Sequence, residues 1–543
     1  MVLENPQLVL FAPRPGDEGR QLRVPLSFME QRTKWKGHDL GRMDIRCTGC
    51  KALHWTKESS ASRRPRGGEA SFQSCCIHGQ VQIEPMRPLP ELLNTLINAD
   101  NREAKVFRNE LQRWNSLFAF TSIWFNMDNR TSAIGGTFQL FQIHGALDHR
   151  QGPLARAGGL GDARFSQVYL YDPADAARAR SARAPELDAN LIRSLTEMLQ
   201  ECNPLNQLYL TARERFAEIG EAEENCRLIL NPQLRLVVER GADLRRENLP
   251  TADEGAMILP EEYGSEGFRD IVLARRVNGQ DVANSFTRIN PNHALYLPLH
   301  YVLHFPYGEH GWHWARRLVG PEDKELKQRA FYRFRLHTRS DEPTTILRAQ
   351  RLFQQFVVDA WDICDQNKLD WVRSHQANIR AELYNGLSDL LEAGDADFAQ
   401  VGRRVVLPSS YVGGDRFMQK LYQDSIAIVR RFGKPSLFIT FTANPKWEEI
   451  QQGLLPNQTA ADRPDLVARV FNLKVRDLLD QIRHKEVFGP WLGWVWTIEY
   501  QKRGLPHLHL LVFLKTDHQF LTAANIDRFI SAEIPTEDNA MGQ

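Results

Sequence analysis

Hydrophobic patterning is clearest toward the C-terminus. Leu352, Phe353, Phe356, Val357, Ala360, Ile363 and Cys364 recur at helical spacing. A second helical stretch carries Phe417, Leu421 and Ile428 and stops at the breaker Gly433-Lys434-Pro435. "SLFITFT" (436–442) then reads as a strand closed by Asn444-Pro445. Leu466, Val470, Leu473 and Leu478 mark the apolar side of another helix. Two strands, Trp491–Gln501 and His507–Leu514, complete the pattern. The order helix, strand, helix, strand, strand predicts an antiparallel sheet covered by helices, and hence an α+β fold.

Upstream the pattern is looser. A helical stretch runs through "ELLNTLINADNREAKVFRNELQRWNSLF" (91–118). Thr137–Ile143 and Phe165–Tyr171 read as strands, as do Leu228–Glu239 and Phe268–Arg276. Pro173–Pro185 is rich in Ala and Arg and reads as a linker or exposed turn, with helix following toward Phe216. "HALYLPLHYVLHFPYGEHGWHW" is aromatic and broken by Pro298 and Pro306. Its aromatic positions suit a core better than a base-stacking surface. No internal repeat is present.

Composition adds bounds. With 543 residues the chain can hold several domains with real cores. A formal net charge of +1 excludes a global basic field, but Arg32–Arg66 holds ten Lys/Arg against Asp39, Asp44 and Glu58. Such a run is either solvated surface or a phosphate-binding patch. "MVLENPQLVLFAPRPG" lacks the charged and apolar regions of a signal peptide. No apolar run reaches the ~18–20 residues of a membrane helix.

Four of the seven cysteines fall between positions 47 and 76, which predicts a reduced compartment and metal binding rather than a disulfide framework. Cys47-x₂-Cys50 is a zinc-knuckle half, and Cys75-Cys76 would be the other. Neighbouring cysteines rarely both bind one tetrahedral ion, so His54 or His78 is a candidate to complete the set. Buried free thiols are the alternative.

The second candidate lies in "WTIEYQKRGLPHLHLLVFL" (496–514). Strand side chains alternate faces, so His507 and His509 share one face, while Leu508, Leu510, Val512 and Leu514 fill the other. A loop of Arg503-Gly504-Leu505 would set Gln501 opposite His507 and Glu499 opposite His509. Two imidazoles and an oxygen then converge as an open three-ligand metal site. The competing reading is a pair of ordinary strand histidines. A histidine-rich barrel metal site is excluded by order, because His518 is the last histidine.

"EYQKRGLPHLHLLVF" resembles the histidine–hydrophobic–histidine (HUH) motif of the Rep-type nickase in Helitron transposases. "RLFQQFVVDAWDICDQNKLDWVR", "SLFITFTANPKWEEI", "RWNSLFAFTS", "FSQVYLYD" and "LHFPYGEHGW" are similar to further stretches of Helitron Rep/helicase proteins, from about Cys47 onward and in the same order. The resemblance implies cleavage of one DNA strand by a tyrosine oxygen, assisted by a divalent ion on the scissile phosphate. It implies His507 and His509 as ligands, with Glu499 first and Gln501 second as the third, and Mg²⁺ or Mn²⁺ as the ion. Thr440 and Thr442 would line the same cleft or be structural. Lys502 and Arg503 would meet DNA phosphate or simply solvate the turn.

In that family a Cys-x₂-Cys, "ALHW" and a Cys-Cys pair recur at comparable spacing, which implies a structural zinc. Its basic loop (Arg63, Arg64, Arg66) would lie on DNA.

The implied division is an N-terminal segment (1–40), a zinc-binding module (41–87), a Helitron-type N-terminal region of unknown role (88–330) and a helicase-like Rep HUH domain (331–543). The expected partner is DNA, mainly single-stranded. A nuclear location follows from the family, not from a targeting signal. The family's nucleophile is one or two tyrosines on a helix after the histidines. No tyrosine follows Tyr500, and no G-x-x-x-x-G-K-[ST] occurs. The expectation is therefore the metal half of a nickase without nucleophile or helicase. The alternative is a non-catalytic single-stranded DNA-binding protein derived from a transposon.

Overall fold

The structure, a computed structural model, describes residues 38–59, 69–127, 143–151, 162–206, 209, 226–230, 256–260, 287–288, 292–321, 323–376, 406–501, 504–515 and 526. It is an α+β chain of two compact units. One comprises 43–366 with 454–464, and the other 1–42, 367–453 and 465–543.

The first unit opens with a small sheet in the order β2-β1-β3: β1 (Ile45–Cys47), β2 (Leu53–His54) and β3 (Glu69–Ala70). A one-turn helix, α1 (Gln73–Cys76), follows. The stretch 91–118 forms three short helices, α2 (Glu91–Asn98), α3 (Arg102–Asn109) and α4 (Leu111–Phe118). Asn101 starts α3 by accepting from Ala104 N at 2.8 Å, which is why the periodic run is broken there. Strands β4 (Ser122–Met127) and β5 (Ile143–Gln151) pair antiparallel. The predicted strand at 137–143 lies outside the described residues except for Ile143.

Two sequence expectations are corrected in this unit. Phe165–Leu170 is a 3₁₀ helix, not a strand: Ser166, Val168 and Tyr169 are its buried positions, and Gln167 Oε1 accepts from Arg164 N at 3.1 Å. Pro173–Arg183 is not a linker but helix α5. Asp172 accepts from Asp175 N at 2.9 Å and Pro173 occupies the first turn, so alanine's helix propensity is free to act. Helix α6 (Ala189–Cys202) packs on α2 and α5.

Strands β6 (Cys226–Leu230) and β7 (Ala256–Pro260) pair antiparallel, and β8 (Thr287–Arg288) joins β5. The predicted strand at 228–239 thus overlaps β6. Its residues from 231 on, the strand at 268–276 and the helix beyond Tyr209 lie outside the described residues.

The aromatic segment around α7 (Tyr296–His300) is core, as expected: Tyr296, Leu299, Tyr301 and Val302 are buried. Helices α8 (Gln328–Arg335), α9 (Thr345–Arg348) and α10 (Gln350–Ser374) follow. Asp359 on α10 anchors a buried polar network, bonding His149 Nε2 at 2.6 Å and accepting from the Tyr301 hydroxyl at 2.9 Å. Burial holds the His304 pKa down at about 3.

In the second unit, helix α11 (Asp415–Phe432) ends where Gly433 adopts φ +81° and its N–H bonds Val429 O at 2.8 Å. Strand β9 (Leu437–Thr442) then enters a three-stranded antiparallel sheet, β10-β11-β9, with β10 (Trp491–Tyr500) and β11 (Pro506–Leu514). Asn444 closes β9 by accepting from Lys446 N at 2.9 Å. Helices α12 (Glu448–Gly453) and α13 (Pro464–His484) come between.

The central strand β11 sorts by parity. Leu508, Leu510 and Val512 are fully buried on one face. On that face Phe441 of β9 stacks on Phe471 of α13 and on Trp447, both at 5.6 Å between ring centroids. The opposite face is covered at its far end, where Phe513 meets Phe432 of α11 at 6.3 Å. Among the described residues the histidine end of that face is partly exposed, His509 by 29% and Glu499 by 59% of the side chain.

Candidate metal centres

Cys47, Cys50, Cys75 and Cys76 place their four sulfurs within 4.8 Å of one another. Cys47 ends β1, and the knuckle turns back at once: Lys51 N bonds Cys47 O at 2.8 Å, with Lys51 at φ +60°. Gly49 is required in this turn, because a Cβ there would lie 2.6 Å from the Cα of Gly79.

Cys75 and Cys76 sit on α1, whose left-handed exit at Ile77 and His78 reverses the chain. Gly79 N then reaches Cys76 Sγ at 3.2 Å. The Cys47 and Cys76 sulfurs lie 3.5 Å apart, and those of Cys75 and Cys76 3.7 Å. A tetrahedral ion with sulfur at ~2.3 Å needs sulfurs about 3.8 Å apart, so the donor set fits zinc. Hydrogen bonds from Cys50 and the other thiols push the Cys47 pKa far down, while those to Cys47 push Cys75 and Cys76 up.

The adjacent cysteines therefore converge, and neither candidate histidine belongs to the set. His54 is stacked on Phe72 at 3.8 Å and bonds Glu58 at 2.6 Å; His78 bonds Ser71 at 2.8 Å. The sequence reading missed Arg339. Its guanidinium donates to Cys50 O at 2.9 Å, approaches Cys50 Sγ at 3.7 Å and lies 3.8 Å over Phe334. Arg63, Arg64 and Arg66 lie outside the described residues.

The second cluster is Glu499, His507 and His509, again with donor atoms within 4.8 Å. The hairpin register differs from the expected one: Glu499 pairs with His507 and Thr497 with His509. Gln501 instead faces Leu505, accepting from Gly504 N at 2.7 Å and donating to Leu505 O at 3.0 Å. The loop is therefore one residue earlier than expected, because Gly504 takes the left-handed position at φ +77°. The register sum changes by two, so parity survives and Glu499 stays on the histidine face.

Glu499 Oε1 reaches diagonally to His509 Nε2 at 2.8 Å. That hydrogen bond lowers the Glu499 pKa and keeps a carboxylate at the site. The two imidazoles are 4.5 Å apart and nearly perpendicular.

Strand β9 supplies the remaining wall. Thr442 lies opposite His507, and Thr440 opposite His509. Thr442 Oγ1 bonds His507 Nδ1 at 2.6 Å, which fixes that ring and leaves its Nε2 for a metal. The ring of Phe438 lies parallel to His509, 5.5 Å away and at 4°. Sequence reasoning missed Phe438, although it alternates with Thr440 and Thr442 on one face. Lys502 and Arg503 lie outside the described residues. Tyr500 neighbours Glu499 in β10 and so projects to the other face; no strand tyrosine shares the histidine face.

Two nitrogens and a carboxylate, partly exposed on rigid strands, suit a hard divalent ion with open positions for an oxyanion. Among the described residues no helix is long and apolar enough to cross a membrane. No curated protein matches the chain. Residues 331–512 match the family model described as the Helitron helicase-like domain at the N-terminus. The matched span includes β9, β10 and both histidines, and it supports a Helitron-related protein.

Proposed function

We propose that this chain supplies the metal-holding and DNA-binding part of a Rep-type single-strand nickase and strand transferase of the Helitron kind. The observation that carries this reading is the convergence of Glu499, His507 and His509 on one open sheet face, inside the span that matches the Helitron domain. A Mg²⁺ or Mn²⁺ ion held there would polarise a scissile phosphate and offset the charge developing on it. Thr442 orients His507, and the buried leucines beneath hold both rings on a fixed backbone. Cys47, Cys50, Cys75 and Cys76 hold a structural zinc in this reading, and Arg63, Arg64 and Arg66, between the two cysteine pairs in sequence, contact phosphates.

A second reading, a non-catalytic single-stranded DNA-binding protein, is favoured by the absence of a strand tyrosine on the histidine face. A nucleophile would have to come from another element. Both readings are tested with end-labelled single-stranded oligonucleotides and the purified chain. The proposal expects Mn²⁺ to tighten binding for the wild type but not for His507→Ala/His509→Ala. An identical Mn²⁺ response in both proteins would refute it. A denaturant-stable 5′ protein–DNA adduct would favour the nickase. Metal-tightened binding without an adduct would favour the binding module.

A further inference from the structure

Phe438 sits on the metal face with 63% of its surface exposed, near the start of β9, and the next two positions of the strand on that face are Thr440 and Thr442. Single exposed apolar residues are ordinary and need no explanation. This one differs in where it stands. One ring face lies parallel to His509 at 5.5 Å and 4°, so the ring is held in a fixed plane beside a ligand of the candidate ion. Its register partner on β11 is Leu511, so the ring is footed on an apolar side chain and not on another polar group. Thr440, opposite His509, separates it from Thr442 along the strand.

We propose that Phe438 is a stacking platform for one unpaired nucleobase, the base attached to the phosphate that the Glu499–His507–His509 cluster holds. This rests on the phosphodiester reading of that cluster and adds a positioning residue to it. The chemistry follows from the two neighbours. A phosphate oxygen at the metal cluster leaves its nucleoside within reach of a ring stacked against one of the ligands. Every base offers a π face, so stacking would be tolerant of sequence. A paired base has both faces covered by its neighbours, so the platform selects single-stranded over duplex DNA. It would also fix the rotation of the strand about the bound phosphate, which metal coordination alone leaves free.

The test uses an oligonucleotide carrying 2-aminopurine at successive positions, added to the full chain with Mn²⁺. One position should show strong quenching with the wild type. Phe438→Ala should lose that quenching and weaken single-strand affinity roughly 5- to 100-fold. Phe438→Trp should restore both, whereas Phe438→Leu, which keeps apolar packing on His509, should restore neither. Mn²⁺ binding without DNA should be unchanged in all three variants.

If Phe438→Leu behaves as wild type, the ring is packing alone and the proposal is overturned. If Mn²⁺ affinity falls with Phe438→Ala while quenching persists, the ring supports His509 and does not stack a base, which also overturns it. If instead Mn²⁺ fails to bind the wild type at all, the phosphodiester reading itself has failed, and the base platform falls with it.

Discussion

Lys474→Met should destabilise the unit that carries the histidine sheet by about 3–5 kcal/mol, the usual cost of stranding one member of a buried ion pair. Lys474 Nζ lies 2.7 Å from Glu449 Oε1 and 2.8 Å from His38 O, and both side chains of the pair are nearly buried. The ammonium also stands 5.0 Å over the Trp447 ring. The substitution removes all three interactions and leaves Glu449 with the Leu40 N–H at 3.1 Å. Because the pair ties α12 to α13, which backs the sheet, the loss should reach the metal face.

In urea, with a slope of ~1–3 kcal/mol per molar, the midpoint should fall by about 1–5 M. The double variant Glu449→Leu/Lys474→Met should recover most of the loss, since an apolar pair replaces a buried charge pair at little cost. The pH dependence has a definite sign. Burial alone would raise the Glu449 pKa, but Lys474 and backbone N–H groups bring it below its usual 4.5. Its contribution is present above 4.5 and is lost as pH falls through the lowered value. The wild-type advantage over Lys474→Met should therefore shrink only in that acid range. A Lys474→Met midpoint equal to wild type at neutral pH, or a double variant no better than the single, would refute the reasoning.

Metal analysis should find one zinc per chain, lost in Cys76→Ser and retained in His78→Ala; zinc retained in Cys76→Ser would remove the four-cysteine assignment. Thr442→Val should weaken Mn²⁺ binding about 10- to 100-fold without unfolding the chain, as measured by titration with circular dichroism as a control. His304 is held neutral by burial, so its contribution should be full above 6.5 and decline as pH falls toward about 3; a chemical-denaturation pH series should flatten in His304→Phe if that variant folds. Affinity for single-stranded DNA should fall steeply with salt, and salt-independent binding would contradict phosphate contacts.

The sheet and its helices were legible because each element carried its own punctuation: Gly433-Lys434-Pro435 ended α11 and Asn444 ended β9. Strand parity placed His507 and His509 on one face, and Glu499 stayed with them because the register sum differed from the expected one by an even number. The register itself was not legible. Whether Gly504 or Leu505 closes the loop depends on which residue takes a positive φ, and both loops suit the same sequence. At 165–170 a short apolar alternation could not separate a strand from a 3₁₀ turn. At 173–183 the signals were present, since Asp172 and Pro173 are a helix start, but the Ala/Arg composition read as a linker. The convergence of Cys75 and Cys76 depends on left-handed residues at 77 and 78, where Ile and His give no hint of that conformation. Arg339 was hidden because its partner Cys50 is remote in sequence.

The most direct test of the metal face is Mn²⁺ titration of zinc-loaded protein by electron paramagnetic resonance, comparing wild type with His507→Ala/His509→Ala. The account predicts one tight Mn²⁺ per wild-type chain, competed by Mg²⁺ and absent from the double variant, with zinc content unchanged in both. Equal Mn²⁺ binding by the two proteins would mean that the histidines are ordinary strand residues.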